Sequence, residues 1–431
     1  MADPRFAAGS RGARAETVVD LGAVRHNVKV LTAAAPGAAL MAVVKADGYG
    51  HGAVAVARAA LDAGATWLGV CTLDEALELR GAGIEAPVLS WLHLPDEDFA
   101  PAVAAGVDLS VASRAHLAAV ADGARRAGRP ARVHLKADTG LSRGGAVPDD
   151  WPDLLDAAAK AGAAGECEVV AVWSHLAHAD IPDHPMLDVQ AARLTAAWRA
   201  AVDRGLAPIR HLANSAATLT RPDLHFDLVR PGIAVYGLDP LERPVRETPL
   251  RPAMTLSARV ALVKRVAAGE GVSYGHAWTA ETDTTLALVP IGYADGVPRR
   301  LNFGGRMRVL LGGRLRPVVG RVCMDQVVVD CGPACGDPAG GNPEGEDEVA
   351  VGDRAVLFGP GGSGEPTAQD WADELGTIHY EVVTGVHGRR VLRTVVDGPG
   401  VDGPGVDGPG VDGPGVDRPG VDGAVIDGVG S

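Results

Sequence analysis

At 431 residues, 47% of them hydrophobic, the chain is long enough for two cored domains or for one barrel with an appendage. Forty basic residues against 54 acidic ones give a net charge of −14, and no run of Lys or Arg offsets it locally, which argues against nucleic acid and anionic membrane as partners. The five cysteines, Cys71, Cys167, Cys323, Cys331 and Cys335, show no framework spacing, which fits a reducing compartment; Cys331 and Cys335 have no second Cys/His pair nearby to complete a metal site.

Residues 1–14 carry arginines but no apolar h-region, so they read as a disordered tail and not as a secretion signal. No stretch approaches the ~20 consecutive apolar residues of a membrane span, and a cytoplasmic location is expected. Residues 15–250 then alternate two textures. Apolar runs at 42–45, 67–72, 87–91, 107–112, 132–137, 169–174, 209–213 and 227–230 are separated by Ala/Leu-rich stretches with helical spacing, such as 53–63, 74–81, 114–127, 151–161 and 189–204. Continuous apolar strands alternating with helices indicate a parallel sheet covered on both faces, and about eight such units predict an α/β fold, a (β/α)8 TIM barrel. No G-x-G-x-x-G follows the first strand, which weakens a dinucleotide-binding alternative.

Residues 251–395 are different. Short Val-rich runs at 257–266, 284–290, 307–311, 316–319, 326–330 and 354–358, with Gly-rich turns between them, predict a mostly antiparallel β domain that 382–392 completes. The Gly/Pro-rich stretch 332–345 reads as an exposed loop inserted in it. From 396 to 431 the chain repeats VDGPG, a composition that cannot offset the entropy of ordering, and a disordered tail is expected.

The chemistry gathers at predicted strand ends. The first strand runs into VVKADGYGHG, with Lys45 where a barrel carries its active-site face. A buried ammonium is costly unless it is paired or modified, and a Schiff base to an aldehyde cofactor removes that cost; a lysine snorkelling at a strand end is the plainer alternative. Lys136 to Arg143 closes strand five, His175 strand six, Asn214-Ser215 strand seven and Arg230-Pro231-Gly232-Ile233 strand eight. The Ser215 hydroxyl and the Gly232 and Ile233 amides suit an anion, as in phosphate sites after the last two strands of such barrels. Singly, His175 or Arg230 would pass for structural residues; polar groups at the same end of five strands are harder to dismiss. In the β domain, Gly271-Val272-Ser273-Tyr274-Gly275 sets a phenol in a turn, which alone suggests packing as readily as catalysis.

VVKADGYGHG, DTGLSR, HLANSAA, RPGIAVYG, VSYGHAWTA, GYADGVPR and GRVCMDQ occur in one order, and in that order they resemble the alanine racemase family from about 15 to 395. The resemblance implies a pyridoxal 5'-phosphate enzyme that interconverts L- and D-alanine, supplies D-alanine for cell-wall peptidoglycan, and forms a head-to-tail homodimer with shared active sites. It implies Lys45 as cofactor lysine and base for the D-enantiomer, and Tyr274, reaching in from the partner subunit, as base for the L-enantiomer. Tyr49, Ser215, Gly232, Ile233 and Tyr380 match phosphate contacts, with Asn214 beside them. Arg230 matches the arginine at the pyridine nitrogen, next to His175. Arg143 and, across the dimer, Met324 match contacts to the substrate carboxylate. Lys136 corresponds to a lysine carbamylated in some members, and Asp180, Tyr293 and Arg321 to the access channel. Two features depart from the family: Leu141-Ser142 stands where many members have a Met-containing turn, and the VDGPG tail is an addition. A racemase of serine or lysine, a barrel-type decarboxylase and a cofactor-carrying protein without turnover remain open; Tyr274 argues against the second, and Lys45, Tyr274 and Arg143 together against the third.

Overall fold

A computed structural model describes residues 13–243, 247–332, 349–386 and 390–398. The chain enters on β1 (Ala15–Asp20), whose Asp20 side chain accepts from the Gly22 and Ala23 amides and so caps the helix Leu21–Ala34. Eight short strands follow: β2 (Ala39–Val43), β3 (Trp67–Val70), β4 (Val88–Ser90), β5 (Asp108–Val111), β6 (Ala131–Lys136), β7 (Cys167–Trp173), β8 (Ile209–His211) and β9 (Leu228–Val229). They pair in parallel in the order β8-β7-β6-β5-β4-β3-β2-β9. The Asp227 N–H donates to the Arg210 carbonyl (3.1 Å) and the Arg230 N–H to the Ala213 carbonyl (2.9 Å), which joins β9 to β8 and closes the ring. Each apolar run of the sequence becomes one of these strands. The helices Ala53–Asp62, Leu73–Gly81, Arg114–Ala127, Trp151–Ala163 and Met186–Val202 lie where the 3.6-residue spacing puts them. Capping supports the reading at Leu73–Gly81, where Thr72 and Glu75 form a reciprocal capping box.

Alternation along each strand separates two interiors. Outward residues such as Leu40, Ala42, Leu68, Val70, Val133 and Leu135 join the helices in one large core. Met41, Leu89 and Leu228 form a separate cluster, the apolar half of the lumen. The other half is polar: Ser110, Asp108, His134 and His211 are all buried.

The second sheet is built from β10 (Met254–Arg259), β11 (Leu262–Val266), β14 (Thr284–Val289), β15 (Arg308–Leu311), β16 (Arg314–Val319), β17 (Val327–Gly332), β18 (Arg354–Phe358) and β19 (Val391–Val396); β12 (Gly271–Val272) and β13 (Trp278–Thr279) pair apart from it. Its order is β11-β14-β17-β16-β15-β18-β10-β1-β19, antiparallel except where β1 runs parallel to β19. Three differences from the sequence reading have physical causes. β1 is a strand of this sheet, bonded to β10 and β19, although it precedes the barrel in the chain; periodicity marks a strand but not its partner. Residues 382–392 begin as a helix (His379–Gly385) that follows another, Ala368–Leu375, capped by Thr367 and Asp370; a short apolar run does not distinguish helix from strand. Arg14, within the predicted N-terminal tail, lies 3.2 Å from the buried Asp295 carboxylate. Val396, placed by the sequence in the C-terminal tail, is instead the last residue of β19, paired with Asp20; residues 1–12 and 399–431 of the tails, and 333–345 of the inserted loop, lie outside the described residues.

His51, at the junction of barrel and β domain, is buried, and its Nδ1 lies 2.9 Å from the Tyr49 carbonyl. Burial lowers it from 6.5 to about 4. Between those values the unfolded chain binds more protons than the folded one, so this contribution to stability is present above pH 6.5 and is lost as pH falls toward 4. The melting temperature is expected to drop between pH 7 and pH 5 in a thermal scan, and His51→Gln to reduce that drop.

Candidate active site

The turn after β2 is unusual. Ala46, Asp47, Gly48 and Tyr49 have φ of 52°, 51°, 61° and 52°, a full left-handed turn directly after Lys45. Each L-residue there costs about 1–2 kcal/mol, so neighbours must hold it. Glu75 does so from the next unit: one carboxylate oxygen accepts from the Ala46 amide (2.7 Å) and the other from the Cys71 (2.7 Å) and Thr72 (3.3 Å) amides. Asp47 accepts from the Ala53 amide (2.9 Å) and pairs with Arg393 of β19 (2.6 Å). The turn delivers Lys45 and Tyr49 to the same mouth of the barrel.

That mouth holds a cavity of about 870 Å³, counted to its open rim. Lys45, Tyr49, Arg143, His175, Asn214, Ser215, Arg230, Gly232, Ile233 and Tyr380 all line it, so ten of the twelve sequence-predicted site residues converge. The other two do not. Tyr274 and Met324 stand on the β domain, 70% and 52% exposed. Val43, Trp91, Trp173 and Lys136 complete the lining. Sequence reading missed the two tryptophans as site residues; the signal was their place at the ends of β4 and β7, among only seven in the chain. Gly69 admits Trp91, because a Cβ there would lie 2.7 Å from the indole.

Four cations, Lys45, Lys136, Arg143 and Arg230, line the cavity, and among the described residues no carboxylate does. Burial lowers Lys136 to about 8, helped by the charges of Arg230 and Arg143. It lies 4.5 Å from the Trp173 ring centre. Burial also pushes His175 down to about 3, with Arg230 the next cause, so its imidazole is neutral. Arg230 is lowered by burial to about 9 and stays charged at neutral pH; its Nη2 donates to the Ser174 carbonyl (2.9 Å) and to His175 Nδ1 (3.3 Å). Such a positive, partly dry pocket needs an anionic occupant.

The anion end is recognisable. Ser215 Oγ accepts from the Gly232 (2.8 Å) and Ala234 (3.3 Å) amides, which leaves its own proton free to donate. A Cβ on Gly232 would lie 2.4 Å from the Tyr49 hydroxyl, so only glycine allows the phenol this close. Tyr49, Tyr380 and Tyr236 pack together behind it, with Tyr236 donating to the Val43 carbonyl (2.9 Å). A lysine amine, a phosphate-sized cradle and an arginine on one cavity wall suit pyridoxal 5'-phosphate.

Fold and site thus define a barrel enzyme of the pyridoxal-phosphate class. The family models described as alanine racemase, N-terminal domain, and alanine racemase, C-terminal domain, match residues 19–240 and 253–395. Alanine racemase of Salinispora arenicola is 57% identical over 382 residues, 88% of this chain and 98% of that protein; alanine racemase of Mycobacterium avium is 55% identical over 88% of this chain and 94% of its own length. The structure of alanine racemase from Streptomyces coelicolor A3(2) superposes with a TM-score of 0.82 at 51% identity, covering 89% of this chain and 98% of that one. The chain belongs to the alanine racemase family, and is a pyridoxal-phosphate-dependent amino-acid racemase.

Gly232→Ala should raise the dissociation constant for pyridoxal 5'-phosphate by roughly tenfold or more, equivalent to ~1.4 kcal/mol. Fluorescence titration of the cofactor-free protein measures it; unchanged affinity would mean that the Tyr49–Gly232 contact does not shape the anion end.

Proposed function

We propose that racemisation runs between two opposed groups, Lys45 on one face of the substrate and Tyr274 of a second subunit on the other. The observation that carries this reading is the division of the predicted site: ten residues gathered around one cavity, while Tyr274 and Met324 stand exposed on the β domain of the same chain. A solvent-exposed phenol has no part in its own barrel's chemistry but suits a head-to-tail homodimer in which each chain completes the other's site.

Bound pyridoxal phosphate supplies the electron sink that makes the Cα proton removable. The protein's part is geometry and electrostatics. Arg143 in the cavity and Met324 of the partner subunit hold the substrate carboxylate. Tyr49, Ser215, Gly232, Ile233, Tyr380 and the neighbouring Asn214 hold the phosphate. Lys45 Nζ holds or removes the proton on one face; the Tyr274 hydroxyl does so on the other. An unperturbed phenol near pKa ~10 needs help to act as a base at neutral pH. His175 provides it: Nδ1 accepts from Arg230, so the imidazole proton sits on Nε2, free to donate to a phenolate. Arg230, still charged and unable to give up its proton readily, would stand at the pyridine nitrogen of the bound cofactor and limit protonation of the ring. Lys136, lowered to about 8, has the neutral fraction that carbamylation requires, and as a carbamate would orient Arg143.

The substrate is alanine, and its product D-alanine would serve peptidoglycan synthesis in the cytoplasm. Among the described residues no helix is long and apolar enough to cross a membrane.

Tyr274→Phe should keep the visible absorbance of bound cofactor while L-to-D conversion falls by ~10²-fold or more. Lys45→Ala should be inactive for want of its amine. Mixing and re-associating the two inactive variants should restore activity, because the mixed dimer carries one site with both groups intact. No recovery in a mixture shown to contain the mixed dimer would refute the shared site. Assays across purified L-amino acids, with a higher kcat/KM for serine or lysine than for alanine, would overturn the substrate.

A further inference from the structure

Among the described residues, Arg230 sits among buried groups and has no carboxylate as a hydrogen-bond partner. Its Nη1 lies 3.0 Å from His211 Nδ1; His211 Nε2 lies 2.9 Å from His134 Nδ1; and His134 Nε2 lies 3.1 Å from Asp108 Oδ2. All four side chains are buried, at 5%, 0%, 0% and 1% exposure. The proton positions follow from the two ends. A guanidinium can only donate, so His211 Nδ1 is the acceptor and its proton is on Nε2. That proton points at His134 Nδ1, which must then be bare, and the remaining proton of His134 points at the carboxylate. Every bond therefore runs one way, from Arg230 at the cofactor mouth through two neutral imidazoles to Asp108 at the first residue of β5, the opposite end of the barrel.

The far end is tied to the outer surface. Asp108 Oδ1 accepts from Arg132 Nε (2.7 Å), and Arg132 reaches Glu168 (3.1 Å), which is 60% exposed. The near end is held flat: the Trp173 ring stacks on His211 with centroids 5.3 Å apart and 18° between planes, and its Nε1 donates to Ser110 Oγ (3.1 Å). Barrel lumens of this size are ordinarily filled by branched apolar side chains. A half-polar lumen is costly unless each group is satisfied, and here each is.

We propose that Asp108 and His134 are positioning residues for the racemase reaction, acting through His211 to fix the orientation and charge of Arg230 from the far end of the barrel. The inference rests on the reading of Arg230 as the group that faces the pyridine ring. With Nη1 held by His211 and Nη2 by Ser174 and His175, the guanidinium plane has one setting, and its remaining donors are aimed by the chain behind it. Among the described residues, Asp108 is the carboxylate this hydrogen-bonded chain reaches, and it shares its charge with Arg132.

The test uses the full chain with and without cofactor. In the cofactor-free protein, nitrogen-15 NMR of histidine should find His211 and His134 each neutral and protonated on Nε2. In the holoenzyme, His134→Phe should lower kcat by roughly tenfold or more, the range typical of lost outer-shell support, with a smaller change in KM. It should also shift the absorption maximum of the bound cofactor. His134→Gln keeps an acceptor for His211 and a donor for Asp108, and should recover most of both. Asp108→Asn, close in shape but uncharged, should fall between them and serves if His134→Phe does not fold. His211 protonated on Nδ1, or His134→Phe with native spectrum and kcat, would overturn the proposal. Were Arg230→Lys itself without effect on either readout, the reading of Arg230 would have failed instead.

Discussion

Lys45, Lys136, Arg143 and Arg230 share one cavity whose described lining contains no carboxylate, and the rest of the site is arranged around that imbalance. Like charges brought together in a partly dry pocket repel, and desolvation penalises each of them. The protein answers in three ways. It lowers the affinity of Lys136 for its proton, leaves the pocket ready for a phosphate and a carboxylate, and ties Arg230 to a carboxylate two imidazoles away. An anionic cofactor and the carboxylate of the substrate then meet a site whose repulsion was met on folding. Burial first, and then the same positive field, keeps His175 neutral, which suits a hydrogen-bond donor and not a further cation.

Strain beside Lys45 belongs to the same design. Four consecutive left-handed residues would not persist in an isolated peptide. They are held by Glu75, a residue whose sequence context announces only a helix start. Glu75 performs both tasks with one carboxylate: it completes the capping box of its own helix and receives the Ala46 amide. Asp47 adds a tie to β19 of the other sheet, so the lysine turn is braced from the barrel and from the β domain at once. The pair is half-exposed and its electrostatic worth is small, but it joins segments 346 residues apart in a chain whose two sheets must stay in register.

Under the proposed two-subunit site, the β domain is the platform for Tyr274 and Met324. Asp295, fully buried, is gripped by Arg14 (3.2 Å) and Arg390 (3.1 Å), and Arg390 also reaches Asp325, the neighbour of Met324 (2.5 Å). Ser273, beside Tyr274, donates to the Arg321 carbonyl (3.0 Å). The two loops that present the exposed phenol and thioether are thus fixed from below, as a surface requires if it is to meet a partner without paying to order itself on contact.

Residue pattern alone determined the two domains, the eight barrel strands, the helices between them and the strand-end position of nearly every site residue. This was possible because apolar runs and 3.6-residue spacing are local properties, and because parallel strands all present their carboxyl ends at one mouth. The motif order then pointed to the family, and Tyr274 was singled out although nothing about its turn was distinctive. What only the tertiary structure decided is non-local. β1 pairs with strands about 240 and 375 residues away; Trp91 and Trp173 face the cavity because a missing Cβ at Gly69 and a stack on His211 turn them inward; and Glu75 reaches Ala46 across adjacent units. Asp108, His134 and His211 look like ordinary strand residues in the sequence. Only closure of the barrel brings them into one line behind Arg230, because hydrogen-bond partners inside a lumen are chosen by registers across strands and not by spacing along the chain.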